Sequence, residues 1–279
     1  MDINLDYFSQ SHWDRVARAR GTASSEVGTV LIDSVVTRVR EGGAQDVLDI
    51  GSGNGALACA LVTAMADARV TGLDYSPAAV RLAVEELLPT LPPADRTRLS
   101  FSAGSADALP FEDDRFDAVT MLKTAWVLPD LPAALRECRR VLRPGGSIHI
   151  QSWADPEQCA ALTLGGDVLA DSISGFTLPP EAMAPFELTP DRVVAELTGA
   201  GFRMERQHSF SWDLTVGTAS EYWDRLRSIA GTAYWAFAVQ PNEDRPSLDT
   251  TWRRYAADYT TPDDTWNLPL AWHISTATA

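Results

Sequence analysis

The sequence predicts an α/β fold in which helices cover both faces of a mostly parallel sheet. Between residues 46 and 152, short apolar runs that suit buried strands alternate with segments of helical periodicity. Three alternate glycines and a helix follow the first run at once, which is typical of a ligand-binding loop at the end of a parallel strand. A chain of 279 residues is long enough for one such domain with additions.

The segment 46–58 carries the first strand, the glycine loop and the start of the first core helix. Gly51 and Gly53 allow positive φ angles and let a ligand touch the main chain. The helix N–H groups beside them suit an acceptor such as a carboxylate. Asp49 precedes Gly51 by two residues, where its charge would repel a pyrophosphate but suits an ammonium group. Residues 51–56 also match the dinucleotide pattern GxGxxA, which alone is a weak signal.

The rest of the core is predicted as strands and helices in alternation. Strands are expected at 69–73, 98–102, 116–121 and 147–152, and helices at 56–66, 77–88 and 131–142. Ser76 is a suitable N-cap because Pro77 fits the first helical turn, and the turn Pro144-Gly-Gly ends the last of these helices. Asp74 ends the second strand, so it should lie on the strand next to that of Asp49, at the same edge of the sheet.

Helices flank this core on both sides in the sequence. Two are expected before it, a basic helix over 14–20 and one over 24–40. After the core we expect helices at 155–172 and 189–199, a long strand at 202–214, helices near 219–230 and 249–258, and a closing strand at 266–276.

Five ordered segments resemble the motifs of the class I S-adenosylmethionine-dependent methyltransferases. They are Asp49-x-Gly51-x-Gly53-x-Gly55, Val70-Thr-Gly-Leu-Asp74-Tyr-Ser-Pro, Ser102-Ala-Gly-Ser-Ala-Asp107-Ala-Leu-Pro-Phe, Phe116-Asp-Ala-Val-Thr-Met-Leu and the segment from Ala134 to Gly146. The resemblance covers roughly residues 45–153, and five ordered motifs are more specific than any one of them. It implies a Rossmann-like sheet of seven strands that ends in a hairpin with one antiparallel strand. It also implies S-adenosylmethionine as cofactor and S-adenosylhomocysteine as product.

The resemblance assigns roles to individual residues. Asp74 would hold the ribose hydroxyls, Asp107 would accept from the adenine amino group, and Tyr75 would stack on the adenine or pack under it. Trp13, in the segment before the core, would line the methionine end of the cofactor, with plain packing as the alternative. The residues predicted to bind the cofactor are Trp13, Asp49, Gly51, Ser52, Gly53, Gly55, Asp74, Tyr75, Ser76, Ala106, Asp107 and Leu122.

The same resemblance predicts a division of the chain into three parts. Residues 1–40 are expected to form an N-terminal helical cap, 41–214 and 266–279 the cofactor-binding core, and 215–265 a helical lid insertion over the substrate site. The expected lid region is rich in aromatic residues, which as a group favour an apolar or aromatic acceptor. Taken one at a time, each is more often a core residue. They are Trp223, Tyr234, Trp235, Phe237, Trp252 and Tyr255. Lys123, Trp126 and Trp153 are predicted on the acceptor side. Lys123 could orient an anionic acceptor there, but a solvated lysine at the rim of the loop is the favoured alternative.

A general base is needed only if the acceptor arrives protonated, because a sulfonium methyl is already a strong electrophile. The protein mainly has to hold the acceptor in line and exclude water. His12 is the candidate base, with packing as the alternative. Many members of the resembling family carry a histidine after the fourth strand, whereas this chain has Leu122-Lys123-Thr-Ala-Trp126 there. His149, His208 and His273 lie on predicted strands, where structural roles are expected.

Composition restricts the partners and the compartment. The net charge of −15 disfavours a nucleic-acid substrate and, more weakly, an anionic membrane. Cys59, Cys138 and Cys159 lack the spacing of metal ligands, so we expect buried free thiols and no metal site. The start Met1-Asp-Ile-Asn-Leu-Asp is unlike a signal peptide, and no apolar run reaches membrane-spanning length. These features predict a soluble, cytoplasmic protein whose partner is a small-molecule acceptor.

Three functions remain open on the sequence. The first is a methyltransferase of secondary metabolism that acts on an oxygen, nitrogen or carbon nucleophile of a small metabolite. An NAD(P)-dependent oxidoreductase is compatible with the GxGxxA pattern and with Asp74, although Asp49 and the predicted closing hairpin count against it. The third is a protein of this fold that binds S-adenosylmethionine or its product as a cyclase or a binding module. A missing base does not separate the first from the third.

Overall fold

The computed structural model describes residues 9–20, 25–174, 176, 178, 183–229 and 245–279. The strands in this part of the chain are β1 (Asp46–Ile50), β2 (Arg69–Asp74), β3 (Leu99–Ala103), β4 (Phe116–Met121), β5 (Leu142–Trp153), β6 (Arg203–Val216) and β7 (Trp266–Thr278). They form one seven-stranded sheet in the order β3-β2-β1-β4-β5-β7-β6. The α/β fold and its seven-stranded sheet, both predicted from the sequence, are confirmed.

Strands β1 to β5 pair in parallel. The chain moves outward from β1 through β2 to β3 and then returns to the other side of β1 as β4. Strand β7 is antiparallel to β5, because backbone hydrogen bonds join Gly146 to Ala279 and Ala154 to Ala271, so residue numbers rise on one strand as they fall on the other. The reversal of strand order beside β1 is where open α/β sheets bind ligands, outside the carboxyl ends of the strands.

The helices follow the predicted alternation. They are α1 (Gln10–Arg20), α2 (Glu26–Glu41), α3 (Ala56–Ala64), α4 (Pro77–Leu82), α5 (Pro93–Arg96), α6 (Leu131–Val141), α7 (Ala160–Ser172), α8 (Ala184–Glu187), α9 (Pro190–Gly199), α10 (Ala219–Ile229) and α11 (Arg245–Tyr255). The Ser76 side chain caps α4, as its position before Pro77 predicts. None of the helices in the described ranges combines the length and apolar character that crossing a membrane requires.

Several predicted elements differ from the structure. The helices expected over 14–20, over 155–172 and near 249–258 are Gln10–Arg20, Ala160–Ser172 and Arg245–Tyr255. The helix expected over 77–88 is α-helical only to Leu82, and a π-helical turn at Ala83–Leu87 and a 3₁₀ turn at Leu88–Thr90 follow, since Pro89 cannot donate the hydrogen bond that a continuous helix needs. The fifth strand was expected to begin at 147 but begins at Leu142. Leu142 pairs with Phe116, so the predicted Pro144-Gly-Gly turn lies inside the strand as an irregularity.

The described chain divides into two compact units. One consists of Leu5–Ser152, Leu188–His208 and His273–Ala279, and the other contains Trp153–Glu187 and Ser209–Trp272. Strands β5, β6 and β7 contribute residues to both units. The division into a cap at 1–40, a core and a lid at 215–265 stays a prediction.

The first unit has an apolar core between the sheet and helices α6 and α9. Helix α6 shows why its residues form that element: Leu131, Leu135 and Cys138 recur at helical spacing and are buried, while its arginines lie on the other face. Burial of a leucine such as Leu135 stabilises the fold by about 1.5–3 kcal/mol.

The second unit is a helical cluster with an aromatic centre. Helices α7, α10 and α11 contact one another, and Gly165 on α7 allows the close approach, because a Cβ there would lie 2.5 Å from a methyl of Leu226. The rings of Tyr222, Trp252 and Trp266 are in contact, with Trp252 and Trp266 4.8 Å apart between centroids. Of the aromatic residues named from the sequence, Tyr234, Trp235 and Phe237 lie outside the described residues.

Candidate functional site

The three glycines after β1 all have positive φ angles, but the space around their Cα atoms differs. A Cβ on Gly51 would lie 2.2 Å from the Thr124 hydroxyl, and one on Gly55 would lie 2.6 Å from the Phe101 ring. Both positions therefore need glycine so that the protein can pack against them. A Cβ on Gly53 would meet nothing within 4 Å. Gly53 thus borders open space with its backbone uncovered, where a ligand can approach the main chain.

Strand β2 holds the glycine loop in place. The Gly51 and Ser52 N–H groups donate to the Leu73 carbonyl at 2.8 and 3.0 Å. The Gly53 N–H donates to Asp74 Oδ2 at 2.7 Å, and the Ser76 N–H donates to Asp74 Oδ1 at 2.8 Å. Asp74 therefore joins the glycine loop to the start of α4. Burial raises its pKa, although these two hydrogen bonds act in the opposite direction.

Asp49 is a buried carboxylate with one open oxygen. Its side chain is 1% exposed, and Thr120 donates a hydrogen bond of 2.9 Å to Oδ1. Among the described residues, none donates to the buried Oδ2. Burial, with a smaller contribution from the nearby charge of Asp74, raises the pKa of Asp49 to about 7 against the opposing effect of the Thr120 hydrogen bond. An ionised carboxylate in such a place requires a positively charged partner, which an ammonium group would supply.

Helix α1 is attached to the loop between β2 and α4. Gln10 Nε2 donates to the Tyr75 carbonyl at 2.9 Å. Asp14 Oδ1 accepts hydrogen bonds from the Ser76 hydroxyl at 2.5 Å and from the Ala78 N–H at 3.0 Å. Gln10 and Asp14 could not be predicted from the sequence, because no local pattern points to partners more than sixty residues away in the chain.

His12 and Trp13 lie on this same helix. His12 is buried, and its ring meets that of Trp13 edge to face at a centroid distance of 5.1 Å. Tyr75, by contrast, is 43% exposed. The roles of His12 as base and of Trp13 as part of the methionine site stay predictions.

The loop after β3 carries Ala106, which is buried, and Asp107, which is exposed and accepts a hydrogen bond from the Ser105 hydroxyl. Two residues of α6 anchor this loop. The Leu109 N–H donates to Glu137 Oε2 at 2.8 Å. Arg140 donates to the Leu109 and Phe111 carbonyls at 3.0 and 2.8 Å and is itself paired with Glu137. The sequence did not predict Glu137 or Arg140 as part of the site.

Replacement of Arg140 by Met should loosen this loop while keeping the apolar stem of the side chain. We expect the free energy of unfolding to fall by about 2 kcal/mol, because charged hydrogen bonds to two carbonyls are lost. Urea unfolding measures the change. Arg136→Met is the matched control, since Arg136 is exposed on the same helix and its loss should stay within about 0.5 kcal/mol. Equal losses in both variants would contradict the anchoring role.

The segment after β4 turns sharply beside β5. Leu122 is buried, and Lys123 has a φ of +56°, which is uncommon for a residue with a side chain. The Lys123 N–H donates to Gln151 Oε1 at 3.2 Å. Trp126 is half-buried and packs against the core of the first unit. Trp153 is buried at the end of β5 and belongs to the second unit. The sequence did not predict Gln151 as part of the site.

His149 and the three cysteines are buried inside the protein. His149 lies between the hydroxyls of Ser147 and Thr276, at 3.0 and 3.1 Å, and burial, aided by Arg38 and His208, lowers its pKa to about 4. Cys59, Cys138 and Cys159 are free and buried. Burial raises the thiol pKa of Cys59 and of Cys159 to about 11, so these thiols are protonated and unreactive near neutral pH.

A cavity of about 660 Å³ lies at the opposite, amino-terminal edge of the strands. Arg38, Arg143 and His208 line it together with Asp117 and Glu41. Arg143 is paired with Asp117 at 2.6 Å, and Arg38 is paired with Glu41 at 3.0 Å. Because the charges are paired in this way, the cavity presents no excess of either sign.

Comparison with known proteins finds methyltransferases among the similar chains. A family model described as a methyltransferase domain matches residues 48–150. The ubiquinone/menaquinone biosynthesis C-methyltransferase UbiE of Geotalea daltonii is 25% identical over 189 residues, which cover 63% of this chain and 76% of that protein. The ubiquinone biosynthesis O-methyltransferase of Xanthomonas axonopodis pv. citri is 28% identical over 216 residues, covering 76% and 82%. The crystal structure of the [4+2]-cyclase SpnF superposes with a TM-score of 0.57 at 22% identity, covering 92% and 84%.

The fold and the glycine-loop site define a Rossmann-like domain that uses S-adenosylmethionine as its cofactor. Residues 48–150 are a methyltransferase domain of the class I S-adenosylmethionine-dependent type, and the relatives support methyl transfer as the activity. The oxidoreductase that the sequence left open is therefore set aside.

Proposed function

We propose that this enzyme transfers the methyl group of S-adenosylmethionine to an oxygen, nitrogen or carbon atom of a small, apolar or aromatic metabolite. The observation that carries the cofactor part is Asp49, a buried carboxylate whose second oxygen has no partner among the described residues. The acceptor part is supported by the two relatives, whose names describe methyl transfer to carbon and to oxygen in the biosynthesis of quinones. The net charge of −15 disfavours a polyanionic substrate.

The residues around the glycine loop fit the cofactor in charge and shape. Asp49 would take the ammonium group of the methionine part, and the uncovered backbone at Gly53 would let the ligand lie against the loop. Asp74 would accept from the ribose hydroxyls, since each of its oxygens already accepts one N–H and has a second lone pair. Asp107 would accept from the adenine amino group, and Tyr75 would cover the adenine ring. When bound, the cofactor supplies an electrophilic methyl group.

The protein's own contribution is to hold the acceptor and to exclude water. Lys123, Trp126 and Trp153 are our candidates for the acceptor side, and His12 for the base if the acceptor arrives protonated. The lid role of residues 215–265 belongs to this proposal.

The proposal is tested by incubating the purified protein with S-adenosylmethionine that carries a labelled methyl group and with a panel of phenols, quinols, amines and enols. We expect label in an organic-soluble acceptor and an equal amount of S-adenosylhomocysteine. Tight binding of the cofactor with no transfer to any member of the panel would overturn the small-molecule proposal. It would favour a non-transferring protein, a role compatible with this fold because the cyclase SpnF shares it.

Asp74→Ala should weaken cofactor binding. It removes a charge-assisted hydrogen bond to the ribose, worth about 1.5–3 kcal/mol, and also frees the Gly53 N–H that fixes the loop. Calorimetric titration with S-adenosylmethionine measures the loss. Asp67→Ala is the control, since Asp67 is an exposed acid just before the other end of β2. Unchanged affinity in Asp74→Ala would remove this residue from the site.

A further inference from the structure

The side-chain amide of Gln151 is buried, and only its oxygen has a hydrogen-bond partner among the described residues. It lies on β5 and is fully buried. Its Oε1 accepts the Lys123 N–H at 3.2 Å, and this contact fixes which end of the amide is the oxygen. Its Nε2 is buried, and no residue in the described part of the chain accepts a hydrogen bond from it. Buried donors are rarely left in this state unless a ligand or water completes them.

The sheet register places Gln151 on the same face as the cofactor carboxylate. Asp49 pairs with Thr120 across β1 and β4, and Thr120 pairs with His149 across β4 and β5. Paired residues of parallel strands share a face, and so do residues two apart on one strand, so Gln151 shares the face of Asp49 and Thr120. It lies at the carboxyl end of β5, two strands from β1, hence roughly 10 Å across the sheet at about 4.8 Å per strand.

The neighbouring backbone makes the position of the amide rigid. Lys123, whose N–H holds Gln151, has a positive φ angle, and strained residues of this kind cluster at functional sites. Thr124 follows it, donates to the Leu122 carbonyl at 3.1 Å and packs against Gly51. The segment 122–124 is therefore attached to β5 on one side and to the glycine loop on the other. A donor fixed in this way beside the cofactor loop is suited to orient a second substrate.

We propose that Gln151 Nε2 donates a hydrogen bond to an oxygen of the acceptor, and that the acceptor is a phenol or an enol. This oxygen either receives the methyl group itself or lies next to the atom that receives it. This inference rests on the proposed function. An amide N–H needs an oxygen or nitrogen lone pair, and it stabilises a partly negative oxygen without taking its proton. The single lysine of the chain, Lys123, adds a positive charge on the adjacent segment, which favours a phenolate or enolate over an amine.

The test compares Gln151→Glu with Gln151→Met. Glutamate keeps an oxygen for the Lys123 N–H but removes the donor, whereas methionine removes both. The probe is 4-nitrophenol, titrated into the complex with S-adenosylhomocysteine and followed by the absorbance of the bound phenolate, with nitrobenzene as the probe that lacks the hydroxyl. We expect the wild type to bind 4-nitrophenol as phenolate, and both variants to bind it at least tenfold more weakly. Affinity for nitrobenzene and for S-adenosylhomocysteine should stay within twofold.

The outcomes separate the inference from the function on which it rests. If the wild type binds S-adenosylhomocysteine but not 4-nitrophenol, or if Gln151→Glu binds 4-nitrophenol as well as the wild type, the inference is wrong. If only Gln151→Met loses binding, Gln151 merely supports the Lys123 backbone. Failure of the wild type to transfer methyl to any acceptor would instead overturn the proposed function. Titration with S-adenosylhomocysteine shows for each variant that the folded site is present.

Discussion

Asp49→Asn should stabilise the cofactor-free protein at pH 8 and weaken S-adenosylmethionine binding by roughly a hundredfold. The folded carboxyl has a pKa of about 7 because it is buried, against an ordinary value of 3.8. Above pH 7 the folded protein must therefore keep a buried charge. Asparagine keeps an oxygen for the Thr120 hydroxyl but carries no charge. The loss of the ammonium contact would cost about 3 kcal/mol of binding free energy.

The sign of the pH dependence follows from proton binding. Between about pH 4 and pH 7 the folded state holds a proton on Asp49 that the unfolded state has lost, so stability falls as pH rises through this window. The total loss of folding free energy, for a pKa raised from 3.8 to about 7, is at most about 4 kcal/mol. The advantage of Asp49→Asn over the wild type should therefore be small near pH 4 and reach its maximum above pH 7.

Urea unfolding of both proteins at pH 5 and pH 8 measures this difference, and calorimetry at pH 8 measures the affinity. Asp46→Asn is the matched control, because Asp46 begins the same strand and is paired with Arg143 rather than buried alone. An unfolding difference between wild type and Asp49→Asn that is equal at both pH values would contradict the raised pKa. Unchanged affinity would show that Asp49 does not meet the ammonium group.

The parts of the molecule that the sequence predicted are those encoded locally. The strand, glycine loop and helix around Gly53, and the N-cap Ser76, depend on residues within a few positions of each other, so their patterns can be recognised directly. Asp49 and Asp74 could be placed at one sheet edge because parallel strands end together. The different surroundings of the three glycines could not be predicted, because Thr124 and Phe101, which pack against Gly51 and Gly55, come from other strands and loops.

The residues that support the site could not be predicted from the sequence, for the same physical reason. Asp14 meets Ser76 across 62 residues of sequence, Glu137 meets Leu109 across 28, and Gln151 meets Lys123 across 28. Each is an ordinary polar residue in its own segment and acquires its role only through a tertiary contact. The early start of β5 at Leu142 also depends on pairing with a distant strand residue, Phe116.

Gly53→Ala should abolish most cofactor binding with little damage to the fold. Gly53 has a φ of +56°, so alanine there costs about 1–2 kcal/mol of conformational strain. The new methyl group would meet no protein atom within 4 Å, and it would occupy the space from which a ligand reaches the loop. We expect a Kd for S-adenosylhomocysteine at least thirtyfold higher than in the wild type, measured by calorimetry.

The chain offers a control that is matched in strain. Gly43, in the turn between α2 and β1, also has a positive φ, +69°, and a Cβ there would also meet nothing within 4 Å. Gly43→Ala should therefore lose a similar unfolding free energy in urea and keep the wild-type affinity. Gly51→Ala should lose more stability than either, because its methyl group would collide with Thr124. If Gly43→Ala and Gly53→Ala lost the same affinity, strain alone would explain the effect, and Gly53 would not border the cofactor.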